Sequence, residues 1–146
     1  MTRRSDTEIT SVVVDYMEPS FTVMANATYS VSTTTTAFTN RLYRGLRLFF
    51  SGGAWTVSAT ASASFRVQTF DDLSARWSNI PGAFSTALNP TASSTFIVLT
   101  LYPGLVAVTS QDINHHIGYT WRVVVDVVAT GATRDFIFSI AGQYIR

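Results

Sequence analysis

Hydrophobic residues return at every second position over much of this chain, and that spacing limits what it can fold into. In Tyr119–Ile145, Trp121, Val123, Val125 and Val127 alternate with Arg122, Val124, Asp126 and Val128. Beyond the short link Ala129–Thr133, which holds Gly131, Phe136, Phe138 and Ile140 alternate with Ile137 and Ser139. A helix would scatter such residues around its cylinder, whereas a strand points them to one face. Two such runs about a glycine-containing link predict a β-hairpin with Trp121, Val123, Val125 and Val127 on its core face. Asp126 and Arg134 would then approach diagonally, a pair worth under ~1 kcal/mol on an exposed face.

The same period recurs upstream. Phe21, Val23, Ala25, Ala27, Tyr29 and Val31 share one face of a predicted strand, and Leu46, Leu48 and Phe50 share one face of another. Ser51-Gly52-Gly53 reads as a turn able to take positive φ. Trp55 to Gln68 alternates for far longer than a usual strand, so a bend or bulge is expected in its Ala/Ser stretch. Ile9–Tyr16 is a first strand candidate, and Thr95–Tyr102 reads as a central strand buried on both faces. Asp71–Thr91, with Pro81-Gly82 and Asn89-Pro90, reads as the main irregular segment, opening on a short helical turn capped by Asp71. These segments define an all-β chain: a jelly-roll-like antiparallel β-sandwich of about eight strands, residues 9–146, behind a polar N-terminal arm, residues 1–8. An immunoglobulin-like sandwich would need fewer strands.

Polarity here is mostly hydroxyl. Charged residues are 13% of the chain, about half the usual quarter, while sixteen serines and twenty-one threonines are present. With a formal net charge of +1, charge repulsion does little to keep copies apart, so the composition predicts a chain packed against other chains. There is no cysteine, hence no disulfide and no thiolate-bound zinc. The N-terminus has no apolar run behind Arg3 and Arg4, and the uncharged windows are too rich in hydroxyls or prolines to span a bilayer. Synthesis in the cytoplasm and no membrane partner are expected.

Few residues invite chemistry. His115-His116 are the only histidines, and adjacent strand residues face opposite ways, so no metal site is expected. Asp71-Asp72 could supply one carboxylate of a hydrolytic pair, but no partner is marked. No nucleophile elbow, phosphate loop or dinucleotide fingerprint occurs, so neither catalytic residue nor cofactor is assigned and the chain is read as no enzyme. Arg41, Arg44 and Arg47 form a small basic run, yet a net charge of +1 argues against nucleic acid. Trp77 is the aromatic expected to be exposed, and with Asp71 and Asp72 it makes a candidate ligand or interface loop. Val124 and Val128, too apolar for solvent beside Arg122 and Asp126, are candidate interface residues, as are Arg3 and Arg4 of the arm.

Leu99-Thr-Leu-Tyr-Pro-Gly104, the Trp121–Val125 and Phe136–Ile140 runs, and Arg44-Gly-Leu-Arg-Leu48 before its Ser-Gly-Gly turn together resemble small β-sandwich virion proteins of tailed bacteriophages, several of which decorate capsids. The resemblance spans residues 42–146. It implies a homo-oligomer, with a trimer favoured, that stabilises the virion surface by contacts with the major capsid protein or other virion proteins. The alternatives are a tail or neck component, or a carbohydrate- or receptor-binding module using Trp77, Asp71 and Asp72.

Overall fold

A computed structural model describes residues 18–52, 56–57, 62–84, 95–106, 112–128 and 134–146. The arm with Arg3 and Arg4, the strand candidate Ile9–Tyr16, Trp55 and the link Ala129–Thr133 lie outside them. Eleven strands run through the described residues: β1 (Phe21–Tyr29), β2 (Thr33–Thr34), β3 (Phe38–Thr39), β4 (Gly45–Gly52), β5 (Thr56–Val57), β6 (Ser62–Asp71), β7 (Arg76–Phe84), β8 (Thr95–Leu101), β9 (Asp112–Ile113), β10 (Thr120–Val128) and β11 (Arg134–Ile145). No helix occurs among the described residues. One sheet has six strands in the order β1-β11-β4-β8-β9, with β5 also on β11. The other has five in the order β2-β10-β6-β7, with β3 also on β10. The chain is an all-β sandwich.

Counting β2 and β3 as one interrupted edge strand, the long strands of the described residues alternate between sheets except at β6 and β7, which pair as a hairpin, while the short β9 adds in parallel to β8. That is jelly-roll order. It corrects the expected C-terminal hairpin: β10 pairs with β6, β2 and β3, while β11 pairs with β1, β4 and β5 in the opposite sheet. Asp126 accordingly meets Arg66 of β6, and Arg134 belongs to the other sheet. Periodicity marks a strand and its buried face but not its partner.

The inner faces match the sequence pattern. Leu46, Leu48 and Phe50 of β4, Leu99 and Leu101 of β8, and Phe136, Phe138 and Ile140 of β11 lie against Phe65 and Val67 of β6 and Trp121, Val123 and Val125 of β10, all buried. Stacked rings cross the sandwich: Tyr29 on Phe138 at 4.4 Å, Phe138 on Phe50 at 5.0 Å, and Phe50 on Phe65 of the opposite sheet at 5.5 Å. Each such pair adds about 0.5–1.5 kcal/mol beyond burial. A second cluster closes one end, where Phe38 stacks on Trp121 at 4.6 Å and Trp121 Nε1 donates to Tyr144 Oη at 3.1 Å.

Elsewhere packing overrides the pattern. In β1 the register slips between Thr22 and Met24 and again before Ala27, so Val23 and Met24 are both buried while Ala25 and Ala27 are exposed. Such bulges are usual on an edge strand. Ser51 and Gly52, expected in a turn, still belong to β4 and pair on both sides. The long Trp55–Gln68 alternation does break: β5 pairs in the six-stranded sheet and β6 in the other. β8 is not buried on both faces, because Phe96 is 66% exposed. The expected irregular segment from Asp71 is a hairpin, with Asp72–Ala75 as its turn and β7 continuing to Phe84. Asp71 shapes this turn, accepting from Leu73 N at 3.0 Å and Ser74 Oγ at 2.6 Å. No helical turn forms there.

Candidate functional site

The two outward faces differ in chemistry. On the five-stranded sheet, outward residues of β10 and β6 stand directly opposite each other: Arg122 by Gln68, Val124 by Arg66, Asp126 by Ser64. Arg66 and Asp126 form an ion pair. Arg122 Nε donates to Gln68 Oε1 at 2.8 Å, and Gln68 Nε2 donates to Asn79 Oδ1 of β7 at 2.9 Å. The Arg122 guanidinium also lies 4.0 Å from the ring centroid of Trp77, whose ring tilts against Phe70 with centroids 5.2 Å apart. These groups tie three strands together across the face.

Between Asn79 and Phe84, β7 leaves this ladder. Gln68 pairs with Asn79 and Arg66 with Phe84, so Ile80, Pro81, Gly82 and Ala83 oppose the single residue Val67. Pro81 offers no N–H to a ladder, and Gly82 sits at φ +77°, where other side chains are strained. Ile80 and Ala83 turn into the core. The departure opens a cleft of about 270 Å³ lined by Ser64, Phe65, Arg66, Asn79, Ile80, Ala83 and Asp126.

The outward face of the six-stranded sheet carries almost no charge over its middle. Its rows, read across β11, β4 and β8, are Ala141–Phe49–Val98 and Ser139–Ser51–Phe96. Thr22 and Thr28 of β1 extend it beside Ala141 and Ile137. Phe49 and Phe96 stack at 6.3 Å, and Ile137 is 36% exposed. Among the described residues charge reaches this face at its ends, with the row Gln143–Arg47–Thr100 next to Asp112 and with the Asp135 position of β11, in phase with Ile137 and Ser139.

The residues singled out by sequence fall into several places. Asp71 and Asp72 are exposed at the tip of the β6–β7 turn, and the Ser74 hydroxyl and Leu73 N–H hold the Asp71 carboxyl below its ordinary range. Trp77 is half-buried in a strand, not a loop, with Arg122 over its ring. Val124 is outward but only 8% exposed, set between Thr34 and Arg66, so it offers a partner little area. Val128 is 59% exposed. His115 Nδ1 donates to the His116 carbonyl at 2.7 Å, and Asn114 Oδ1 accepts from Gly104 N at 2.7 Å, so this loop is occupied with its own turn. Among the described residues no three acidic or histidine side chains gather where a metal could sit.

Arg41 and Arg44 are exposed at the end of the sandwich near the C-terminus, with Arg44 5.7 Å from the Tyr102 ring. Arg146 pairs with Glu18 there at 2.6 Å. The nearby Tyr144 phenol is pushed up by burial, partly offset by the Trp121 hydrogen bond.

Sequence reading missed Arg66, Gln68 and Asn79 because cross-strand partners are unknown before the topology is. It missed the Phe49–Phe96 face although a signal existed: both are apolar residues out of phase with the buried set on their strands. Comparison with protein-family models, curated proteins and solved structures finds no match.

Proposed function

We propose that this chain is a structural subunit of a virion, a jelly-roll protein that self-associates and decorates the capsid surface of a tailed bacteriophage. The observation that carries the reading is the uncharged outward face of the six-stranded sheet, with Phe96 66% exposed beside Phe49. Large apolar side chains on a flat face rich in hydroxyls suit contact with another chain better than solvent. Packing that face against a neighbour removes water from rings and aliphatic groups without burying an ion pair, which would have to be desolvated first.

Four strands at ~4.8 Å spacing and about five residues at ~3.3 Å, the span that leaves out Arg47, make an uncharged patch of about 300 Å². A standard interface takes roughly 800 Å² from each partner. The face therefore supplies under half, and the arm with Arg3 and Arg4 is assigned the remainder, while Val128, exposed on the opposite sheet, is assigned to a second contact. A net charge of +1 keeps long-range repulsion between copies small. A trimer is the expected homo-oligomer and the major capsid protein the expected partner.

Sedimentation of the purified chain at micromolar concentration tests this. The expected species is well above 16.0 kDa, and Phe96→Asp shifts it towards the monomer without changing thermal unfolding. A strictly monomeric wild-type chain that does not co-sediment with phage heads overturns the reading.

A further inference from the structure

The geometry points to a binding site for a neutral saccharide in the cleft where β7 leaves β6, on the sheet opposite the proposed assembly face. Its polar lining is planar and mixed. The guanidinium of Arg66 supplies donors, the carboxylate of Asp126 acceptors, the amide of Asn79 both, and the hydroxyl of Ser64 both. A sugar ring presents adjacent hydroxyls that each donate and accept, which such a lining satisfies. Beneath these polar groups the floor is closed by Phe65, Ile80 and Ala83, whose side chains belong to the core.

Charge decides against other small ligands. Arg66 and Asp126 are paired with each other, so the cleft is neutral in sum. An anion entering it meets the Asp126 carboxylate, and a cation meets Arg66. At about 270 Å³ the cleft lies just below the range of drug-sized pockets, which suits one sugar ring and not a longer chain.

The site is also held in place before any ligand arrives. Asn79 is fixed by Gln68, Gln68 by Arg122, and Arg66 by Asp126. Little side-chain freedom is then lost on binding. Trp77 is not the stacking platform, since Arg122 covers its ring. It is instead a reporter, two residues from Asn79 on the same strand.

The test is saturation-transfer NMR on the full chain with the methyl glycosides of glucose, galactose, mannose, rhamnose and N-acetylglucosamine, followed by titration read from tryptophan fluorescence. At least one glycoside should bind, and Asn79→Ala, at an exposed position, should weaken it tenfold or more while its thermal transition checks the fold. Phe96→Asp on the opposite sheet should leave it unchanged, so that loss of assembly and loss of sugar binding are read separately. Asp126→Asn should weaken binding while its thermal transition checks the fold. Absence of transfer from every glycoside, equal affinity in Asn79→Ala, or displacement of the glycoside by inorganic phosphate or glucuronate would each overturn the assignment.

Discussion

In the six-stranded sheet β11 has β1 on one side and β4 on the other, leaving no edge for β10. The chain has no cysteine, so paired substitutions can test this without competing thiols. Ser51 stands opposite Ser139 across β4 and β11, and Thr28 stands opposite Ile137 across β1 and β11. Directly opposed residues of antiparallel strands lie roughly 4.5–5.5 Å apart at Cα, inside the ~4.4–6.8 Å that a disulfide spans. Ser51→Cys/Ser139→Cys and Thr28→Cys/Ile137→Cys should therefore both oxidise to completion in the folded protein. The two would close loops of roughly 90 and 110 residues, for which chain entropy gives about 4–5 kcal/mol, an upper value that native strain reduces. With a urea slope of ~2 kcal/mol/M the midpoint would rise by up to about 2 M. The matching control is Val128→Cys/Arg134→Cys, the pair a C-terminal hairpin would bring together. Those residues pair with Ser62 and Val57 in opposite sheets, which pack ~10 Å apart, so free-thiol titration should find that pair reduced. If the control closes and Thr28→Cys/Ile137→Cys does not, the strand order β1-β11-β4 is wrong.

Four further outcomes follow from the same packing. Phe138→Ala removes the ring between Tyr29 and Phe50 and should cost about 3–5 kcal/mol in urea unfolding, since the site is fully enclosed. Val124→Ser should destabilise the monomer measurably, whereas Val128→Ser, at 59% exposure, should stay within about 0.5 kcal/mol and act on the oligomer alone. Arg66→Gln should cost under ~1 kcal/mol, with an effect that shrinks as salt rises, because both partners of the ion pair are about one-third exposed. The Asp71 carboxyl is held low by Ser74 and then Leu73, so its folded pKa lies under its unfolded one. Its contribution is complete above the ordinary aspartate range and lost as pH falls through the folded value, below about pH 4. Carbon-detected NMR titration of Asp71 should show that lowered midpoint, and Ser74→Ala should raise it.

Which face of a strand is buried was legible in the sequence, because a sandwich core imposes period two on every strand it covers. Trp121, Val123, Val125, Leu46, Leu48 and Phe50 all lie where their phase puts them. Pairing was not legible. Any strand with one apolar face can lie beside any other, and a jelly roll sends most consecutive strands to opposite sheets. The expectations of a jelly roll and of a C-terminal hairpin were in conflict, and the conflict was readable: in that topology the last two strands cannot be neighbours. The true hairpin was hidden because Pro81 and Gly82 broke the alternation of β7, the same bulge that opens the cleft. Val23 and Met24 show the complementary limit, since a bulge shifts phase within a strand whose composition gives no sign of it.

The outward faces turn this into a statement about function. A strand spends half its side chains on the core, so what a sandwich does must be carried by the other half. On the five-stranded sheet those positions hold two linked groups, the Arg66–Asp126 pair and the Arg122–Gln68–Asn79 chain across three strands. Linked polar groups of that kind satisfy themselves and leave directional capacity for a small polar ligand. On the six-stranded sheet they hold Phe49, Ser51, Phe96, Val98, Ser139 and Ala141, with no ion pair among them. Rings are cheap to desolvate, hydroxyls cost far less than ions when they gain a hydrogen-bond partner, and neither repels the approach of a second copy. If both faces were solvent surfaces, Phe49 and Phe96 would have no reason to stand together. Phe96→Asp is therefore the sharper of the single substitutions: it leaves every core contact intact and alters only what the face can touch. An unchanged assembly in that variant would move the interface to the end of the sandwich bearing Arg41, Arg44 and Arg146, and with it the chemistry of the partner.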